Sequence, residues 1–317
     1  MLTEFALPEI SVEQQNYLFH RHIGEYLQPS VEFGNQHSVK LVNTRLWLFG
    51  LEQKYGKHIS IDEVPEEEWD ALAGQYDTIW FMGIYKGSSF SRNHAKKYEY
   101  QYRYALPDLD PEHDVVASPF AIPEYIPNPS IASDWNHWDK AVSHLHERGK
   151  KVMIDFVPNH TAVDSTLVFE HPEYFIQGLK EQYEQNPNMY IPIVAKDGNT
   201  YYVAHGRYSG SDEWADTLQL NYARSDVQQE MERQLLELVD HADGVRCDMT
   251  MLVNASTFLR TWGYLLSEEE KTYILTHNFW ETVVAKAKKK AKEQGREFTF
   301  LGEVYWEEDQ LQSFDYL

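Results

Sequence analysis

Residues 151–161 read KVMIDFVPNHT. Val152, Met153 and Ile154 form an apolar run without polar alternation, which suits a strand of a parallel sheet buried on both faces. The run meets Asp155 and, after Pro158, the chain turns through Asn159 and His160. A carboxylate, an amide and an imidazole therefore gather where a buried strand emerges. In parallel α/β folds the carboxyl ends of the strands are where active sites sit. The alternative for this stretch alone is a strand followed by a polar loop with no chemistry.

Two later stretches repeat the pattern. Residues 244–249 read GVRCDM and residues 299–306 read TFLGEVYW, both apolar runs that end in charge. Side chains alternate along a strand, so Arg246 and Asp248 share a face and Cys247 takes the other. An arginine beside an aspartate is expected to keep that aspartate ionised. Glu303 ends the third run, behind Gly302.

DFVPNH, GVRCD and LGEVYW, in this order, resemble three of the four short signature regions of the alpha-amylase superfamily of retaining glycoside hydrolases. TIWFMGIY, PFAIPEY and HLHERGKKVMIDFVPNHTAVDS are similar to that superfamily as well, and the likeness runs from about Asn43 to the last residue. It implies an α/β fold, a (β/α)8 TIM-type barrel, with a small insert domain after the third strand. Asp248 then matches the nucleophile, Glu303 the general acid/base and Arg246 the arginine that orients the nucleophile. His160 matches a histidine that contacts the sugar, Asp155 a strand-end aspartate that supports the cleft, and Asn159 belongs to the same motif. Retaining enzymes place their two carboxyls about 5–5.5 Å apart, and adjacent barrel strands can deliver that spacing. The nucleophile must be ionised, and the acid must start protonated, so its surroundings should raise its pKa.

The sequence departs from the family in three places. Phe120 stands where many members carry a tyrosine under the reacting sugar; it can stack without the hydroxyl, and Ala121 replaces an aspartate. Met251 and Leu252 stand where many members carry lysine or histidine, a position that joins Asn159 at a structural calcium. Calcium needs six to eight oxygen ligands, and with no clear set here no cofactor or metal is expected. The fourth signature region, which carries a third carboxylate, is not found. The final QSFDYL reads as a sixth strand, so the barrel is expected to be incomplete at its C-terminal side, with about six strands and weak activity on its own.

The chain has 317 residues, 42% of them hydrophobic, enough for one large core. With 28 basic and 50 acidic residues its net charge is -22. That argues against nucleic acid, anionic membranes and anionic substrates, and suits a neutral partner such as an oligosaccharide or α-glucoside. Cys247 is the single cysteine, so no intramolecular disulfide can form, and its place in a strand reads as packing. The N-terminus shows no basic start followed by an apolar core, and no run approaches the ~20 apolar residues of a membrane span. A cytoplasmic protein is the expectation.

In chain order, residues 1–36 read as a helical segment, with Ser11 and Gln14 at capping-box spacing. Residues 37–160 read as the first part of the barrel, 161–222 as the insert and 223–317 as its continuation. SVKLVNTRLWLFG, from Ser38, reads as a first strand, Ile61–Gln75 as a helix closed by Gly74 and Tyr76–Tyr85 as a second strand. Residues 86–133 read as irregular and lie over the barrel mouth. Trp135–Arg148 reads as a helix with Trp138, Ala141, Val142 and Leu145 on one face. Ser225–Ala242 reads as another, opened by a Ser225–Gln228 capping box, and Asn278–Gln294 as the last. Aromatic residues of the insert, among them Tyr208 and Trp214, could stack on sugar rings.

The same strand-end motifs serve transglycosylases, isomerases and phosphorylases of the superfamily. A catalytically incomplete fragment or a sugar-binding relative is the alternative outside catalysis. A metal-dependent barrel hydrolase is the third class; no HExxH spacing supports it, and Arg246 beside Asp248 would repel a cation.

Overall fold

The computed structural model describes residues 37–317. The helical reading of residues 1–36 lies outside the described residues. Strand β1 (Val39–Asn43) leads directly into helix α1 (Thr44–Tyr55). The single strand expected from Ser38 through Gly50 is thus a strand of five residues and then a helix. Asn43 ends the strand because its side chain accepts from Leu46 N and caps the helix. Helix α2 (Glu66–Ala73) follows a 3-10 turn at Ile61–Glu63 and closes at Gly74, whose φ of 43° is left-handed. Strand β2 (Thr78–Met82) is shorter than the run that predicts it.

Residues 86–133 are not wholly irregular. They hold α3 (Ser89–Lys96), α4 (Glu99–Ala105) and a single turn at Pro111–Asp114. Polar, tyrosine-rich sequence hid these helices, because little of their surface is apolar at helical spacing. Helix α5 (Trp135–Glu147) is capped by Asp134, which accepts from His137 N, and buries Trp138, Ala141, Val142 and Leu145.

Strand β3 (Lys151–Phe156) is buried from Val152 onward, on both faces. The insert carries β4 (His160–Ala162), β5 (Gln177–Gly178), β6 (Tyr190–Val194), β7 (Thr200–Ala204) and β8 (Thr217–Gln219). These form two antiparallel sheets, β4 with β8 and β5-β7-β6. The insert belongs to the same compact unit as the barrel strands, Ser38–Leu317. Helix α6 (Ser225–Leu238) has Arg224 as its N-cap without a side-chain bond, so the expected Ser225–Gln228 capping box is absent. Gln228 reaches back instead, with Nε2 donating to the Tyr222 carbonyl at 2.9 Å. Strand β9 (Gly244–Cys247) is followed by α7 (Ala255–Trp262), then α8 (Phe279–Glu293) and strand β10 (Thr299–Gly302).

The barrel sheet is parallel, in the order β1-β2-β3-β9-β10. The expected sixth strand is present only as one parallel bridge, Leu301 with Tyr316. Asp315 breaks the ladder there, its Oδ2 accepting from Phe300 N at 2.8 Å. Alternation sorts the side chains. Ile79, Phe81, Val152, Ile154, Phe156, Val245, Cys247 and Phe300 pack outward and are buried. Trp80, Asp155 and Arg246 share the opposite, inner parity. Cys247 is a buried free thiol facing away from Asp248. No helix among the described residues is long and apolar enough to cross a membrane.

Candidate active site

Register delivers the carboxylates. Asp155 pairs with Arg246, and Cys247 pairs with Gly302. The next residues, Asp248 and Glu303, therefore end neighbouring strands side by side, where strands run about 4.8 Å apart. Backbone bonds fix both: Asp248 N donates to the Phe156 carbonyl at 2.9 Å and Glu303 N to the Cys247 carbonyl at 3.0 Å. Past Asp248 the chain turns sharply through Met249, whose φ of 44° is left-handed.

Arg246 joins the two carboxylates. Its Nη1 donates to Asp248 Oδ1 at 2.8 Å and its Nη2 lies 2.6 Å from Glu303 Oε2. The guanidinium sits between two rings, 5.3 Å from the Trp80 centroid and 5.1 Å from that of Phe120. Met249 N donates to Glu303 Oε2 at 2.9 Å, and the Tyr305 hydroxyl donates to Oε1 at 2.8 Å.

The charge balance reverses the expectation for this pair. Burial pushes the Asp248 carboxyl up to about 7; Arg246 pulls it down, and the Glu303 charge adds to the rise. Burial also raises Glu303, but less deeply, and the Met249 N–H, Arg246 and the Tyr305 hydroxyl together hold it below its ordinary value. The two groups hydrogen-bond each other. With the side chains as they stand, their shared proton favours Asp248. One arginine divided between two carboxylates does not outweigh the burial of the deeper one.

The remaining candidates divide. His160 and Phe120 line a cleft of about 490 Å3 together with Asp248 and Glu303. Burial lowers the His160 imidazole to about 4, against the pull of Asp216 and the Phe120 carbonyl. It is neutral at pH 7. Asp155 is buried beneath the cleft and does not line it. Its carboxylate accepts from Trp80 Nε1 at 2.9 Å and Gly83 N at 2.7 Å, and so ties the end of β2 to β3. Asn159 is likewise buried off the cleft, in a mutual amide pair with Gln219 of β8. It anchors the insert beside His160.

That pair also bears on calcium. Asn159 Oδ1 accepts from Gln219 Nε2 at 3.0 Å, and Met251 and Leu252 are buried apolar residues. Asn159 Oδ1 is thus already engaged by an amide donor, and the Met251–Leu252 position offers backbone carbonyls alone as oxygen ligands. Among the described residues no three His, Cys, Asp or Glu side chains gather as ligands.

Several residues that support the site are not marked by the sequence. Trp80 and Gln219 carry no signal in their own stretches. Tyr305 had one: it stands two residues after Glu303, the same spacing that pairs Arg246 with Asp248. The cleft also takes His94 and Tyr98 from the segment after β2, and Glu213 and Asp216 from the insert.

Comparison with known proteins settles the family. The family described as alpha amylase, catalytic domain, matches residues 133–316, more than half of the chain. The chain belongs to the alpha-amylase family. An alpha-glucosidase of Culex pipiens is 27% identical over 126 residues, 35% of this chain and 20% of that protein. Among solved structures, an alpha-amylase from Lactobacillus plantarum superposes with a TM-score of 0.55 at 20% identity, over 88% of this chain and 51% of that one. A noncanonic maltogenic alpha-amylase from Thermotoga neapolitana gives 0.47 at 20% identity, over 79% and 42%. The likeness to the Lactobacillus plantarum enzyme, at that identity, speaks for the fold alone, the (β/α)8 barrel. This alpha-amylase family chain thus spans about half the length of the first solved relative and a fifth of the curated one.

Proposed function

We propose that this chain carries the nucleophile and the acid/base of a glycoside hydrolase that cleaves α-glucosidic bonds with retention. The observation that carries the reading is the register pair Asp248–Glu303, at adjacent strand ends and bound by one arginine. In the first step an Asp248 oxygen attacks the anomeric carbon. The bond to the leaving oxygen breaks, and that oxygen takes the proton of Glu303. In the second step Glu303 takes a proton from water, the water oxygen attacks the same carbon and the Asp248 carboxylate is released. Two inversions restore the α configuration.

The reaction needs the proton on Glu303, the opposite of its resting preference. A sugar lying between the carboxyls supplies that exchange. Parting them removes the Glu303 charge that raises Asp248, and turning Glu303 toward the leaving oxygen removes it from Arg246, which lowers it. Both changes favour an ionised nucleophile and a protonated acid. His160, neutral and on the cleft wall, is available to hydrogen-bond a sugar hydroxyl.

The test is to trap the intermediate with an α-glucosyl fluoride slowed by a 5-fluoro substituent. Intact mass should rise by one fluoroglucosyl group, mapped to the peptide holding Asp248, and Asp248→Asn should remain unlabelled. A label on another residue would overturn the assignment, as would a protein that binds the sugar without ever acquiring one.

A further inference from the structure

Glu303 follows β10, and little backbone bonding holds the chain beyond it. Among the described residues, Val304, Tyr305 and Trp306 make no backbone–backbone hydrogen bond. Tyr305 is 66% exposed, so packing does not fix its ring, yet its hydroxyl donates to Glu303 Oε1 at 2.8 Å. A bond from an exposed side chain on such a loop lasts only if something else orders the loop.

Glu307 supplies that order. Its φ of 59° is left-handed, a region that glutamate rarely adopts, and it opens a 3-10 turn at Glu308–Gln310. Its carboxylate turns onto the first turn of α7. Oε2 accepts from Ser256 Oγ at 2.7 Å and Thr257 Oγ1 at 2.6 Å, and Oε1 accepts from Arg260 Nη1 at 3.2 Å. The buried Thr257 also accepts from Trp306 Nε1 at 3.2 Å. Two consecutive loop residues are thus pinned to one helix end, where the helix dipole favours an anion. Helix α7 belongs to the segment that follows Asp248, and the pinned loop is the one that follows Glu303. Were Glu307 only a turn residue, glycine would serve better, having no Cβ to crowd the left-handed backbone. Glutamate tolerates that crowding and makes three bonds that glycine cannot.

We propose that Glu307 is a positioning residue for the acid/base: by clamping the loop after β10 onto α7 it holds the Tyr305 hydroxyl on Glu303. The proposal rests on the reading of Glu303 as acid/base and goes beyond it, to a residue that does not line the cleft. Glu303 itself faces Arg246 and Asp248 from the β9 segment, His160 from β4 and Tyr305 from its own loop. Of these, Tyr305 is the one on the clamped loop. Its bond favours the ionised carboxylate, so losing it raises Glu303. Removing the Glu307 charge acts in the opposite sense, because one anion fewer makes ionisation easier. A rise in a Glu307 variant therefore reports the loop and not the charge.

The experiment is an NMR pH titration of the 317-residue protein carrying carboxyl-labelled glutamate, with the Glu303 signal assigned by its loss in Glu303→Gln. Glu307→Ala should raise the Glu303 midpoint by as much as Tyr305→Phe does, about one pH unit at most, and the double variant should raise it no further. Glu307→Gln keeps an acceptor for Ser256 and Thr257 and should stay close to the wild type. Glu307→Gly relieves the backbone but should shift as alanine does. Glu308→Ala removes the same charge one residue on and should not raise the midpoint. An unmoved or lowered midpoint in Glu307→Ala or Tyr305→Phe, a double variant that shifts by the sum of the two, or wild-type behaviour in Glu307→Gly overturns the clamp. The kcat/KM profile on an aryl α-glucoside should follow the same pattern. A protein that titrates in this way but turns over no α-glucoside overturns the reading of the cleft and leaves the clamp standing. An unchanged circular dichroism spectrum identifies variants that keep the fold.

Discussion

Replacing Asp155 with asparagine separates charge from shape at the most deeply buried acid of the barrel. Asp155 is 0% exposed. Burial pushes its carboxyl up to about 6, overcoming the Gly83 N–H, the Trp80 indole and the Arg246 charge, from an ordinary value of 3.8. Between those two pH values the folded protein keeps a proton that the unfolded chain has released. Stability therefore falls as pH rises through that window. A span of about two pH units at about 1.4 kcal/mol per unit amounts to about 3 kcal/mol. Asparagine does not titrate. It accepts from only one of the two N–H donors, which sets a pH-independent cost of about 1–3 kcal/mol. In urea unfolding at fixed ionic strength the wild type should lead Asp155→Asn near pH 3.5. By pH 7.5 that lead should have shrunk by about 3 kcal/mol, leaving the variant level or ahead. Other titrating groups cancel in the difference. A gap that stays constant across this range would refute the reasoning.

Two other substitutions test the site and its support. Tyr305→Phe removes one of the donors that lower Glu303, so the limb of the kcat/KM profile set by Glu303 on an aryl α-glucoside should move to higher pH, by about one unit at most. An unmoved limb would remove Tyr305 from the proton balance. Gly244→Ala would put a Cβ 2.6 Å from the Thr299 carbonyl oxygen and 3.3 Å from Met153 Cε. It should cost about 1–3 kcal/mol by overpacking, and an unchanged melting temperature would show that the barrel floor has room.

What the sequence disclosed followed from local pattern. The unbroken apolar run at Val152–Ile154 marks a strand covered on both faces, and parity along GVRCDM puts Arg246 and Asp248 together. Both depend only on neighbours in the chain. The expected ionisation of Asp248 failed because it depends on depth and on a second carboxylate from another strand, neither visible in GVRCDM. Asp155 and Asn159 were found as motif residues, but their burial beneath the cleft follows from Trp80 and Gln219, 75 and 60 residues away. The helices within residues 86–133 were missed because α4 buries nothing, so no periodic apolar stripe announces it. The strand after Ser38 is shorter than its apolar pattern suggests because Asn43 reads equally well as a strand residue or a cap.

Ser88 Oγ and Phe90 N donate to Asp164, and Ser91 Oγ donates to Asp216; these three bonds between the start of α3 and the insert reach beyond this molecule's own cleft. Asp164 and Asp216 are insert residues, yet each holds a segment encoded well over fifty positions earlier. The two opposing banks of the cleft are therefore one mechanical part made from two separate pieces of chain. A chimera that imports a relative's insert without the matching segment after β2 would strip Ser88 and Ser91 of their acceptors and loosen the segment that brings His94 and Tyr98 to the cleft. Recombination among relatives should succeed when both pieces travel together, and grafting either one alone should loosen the cleft wall before it costs the barrel.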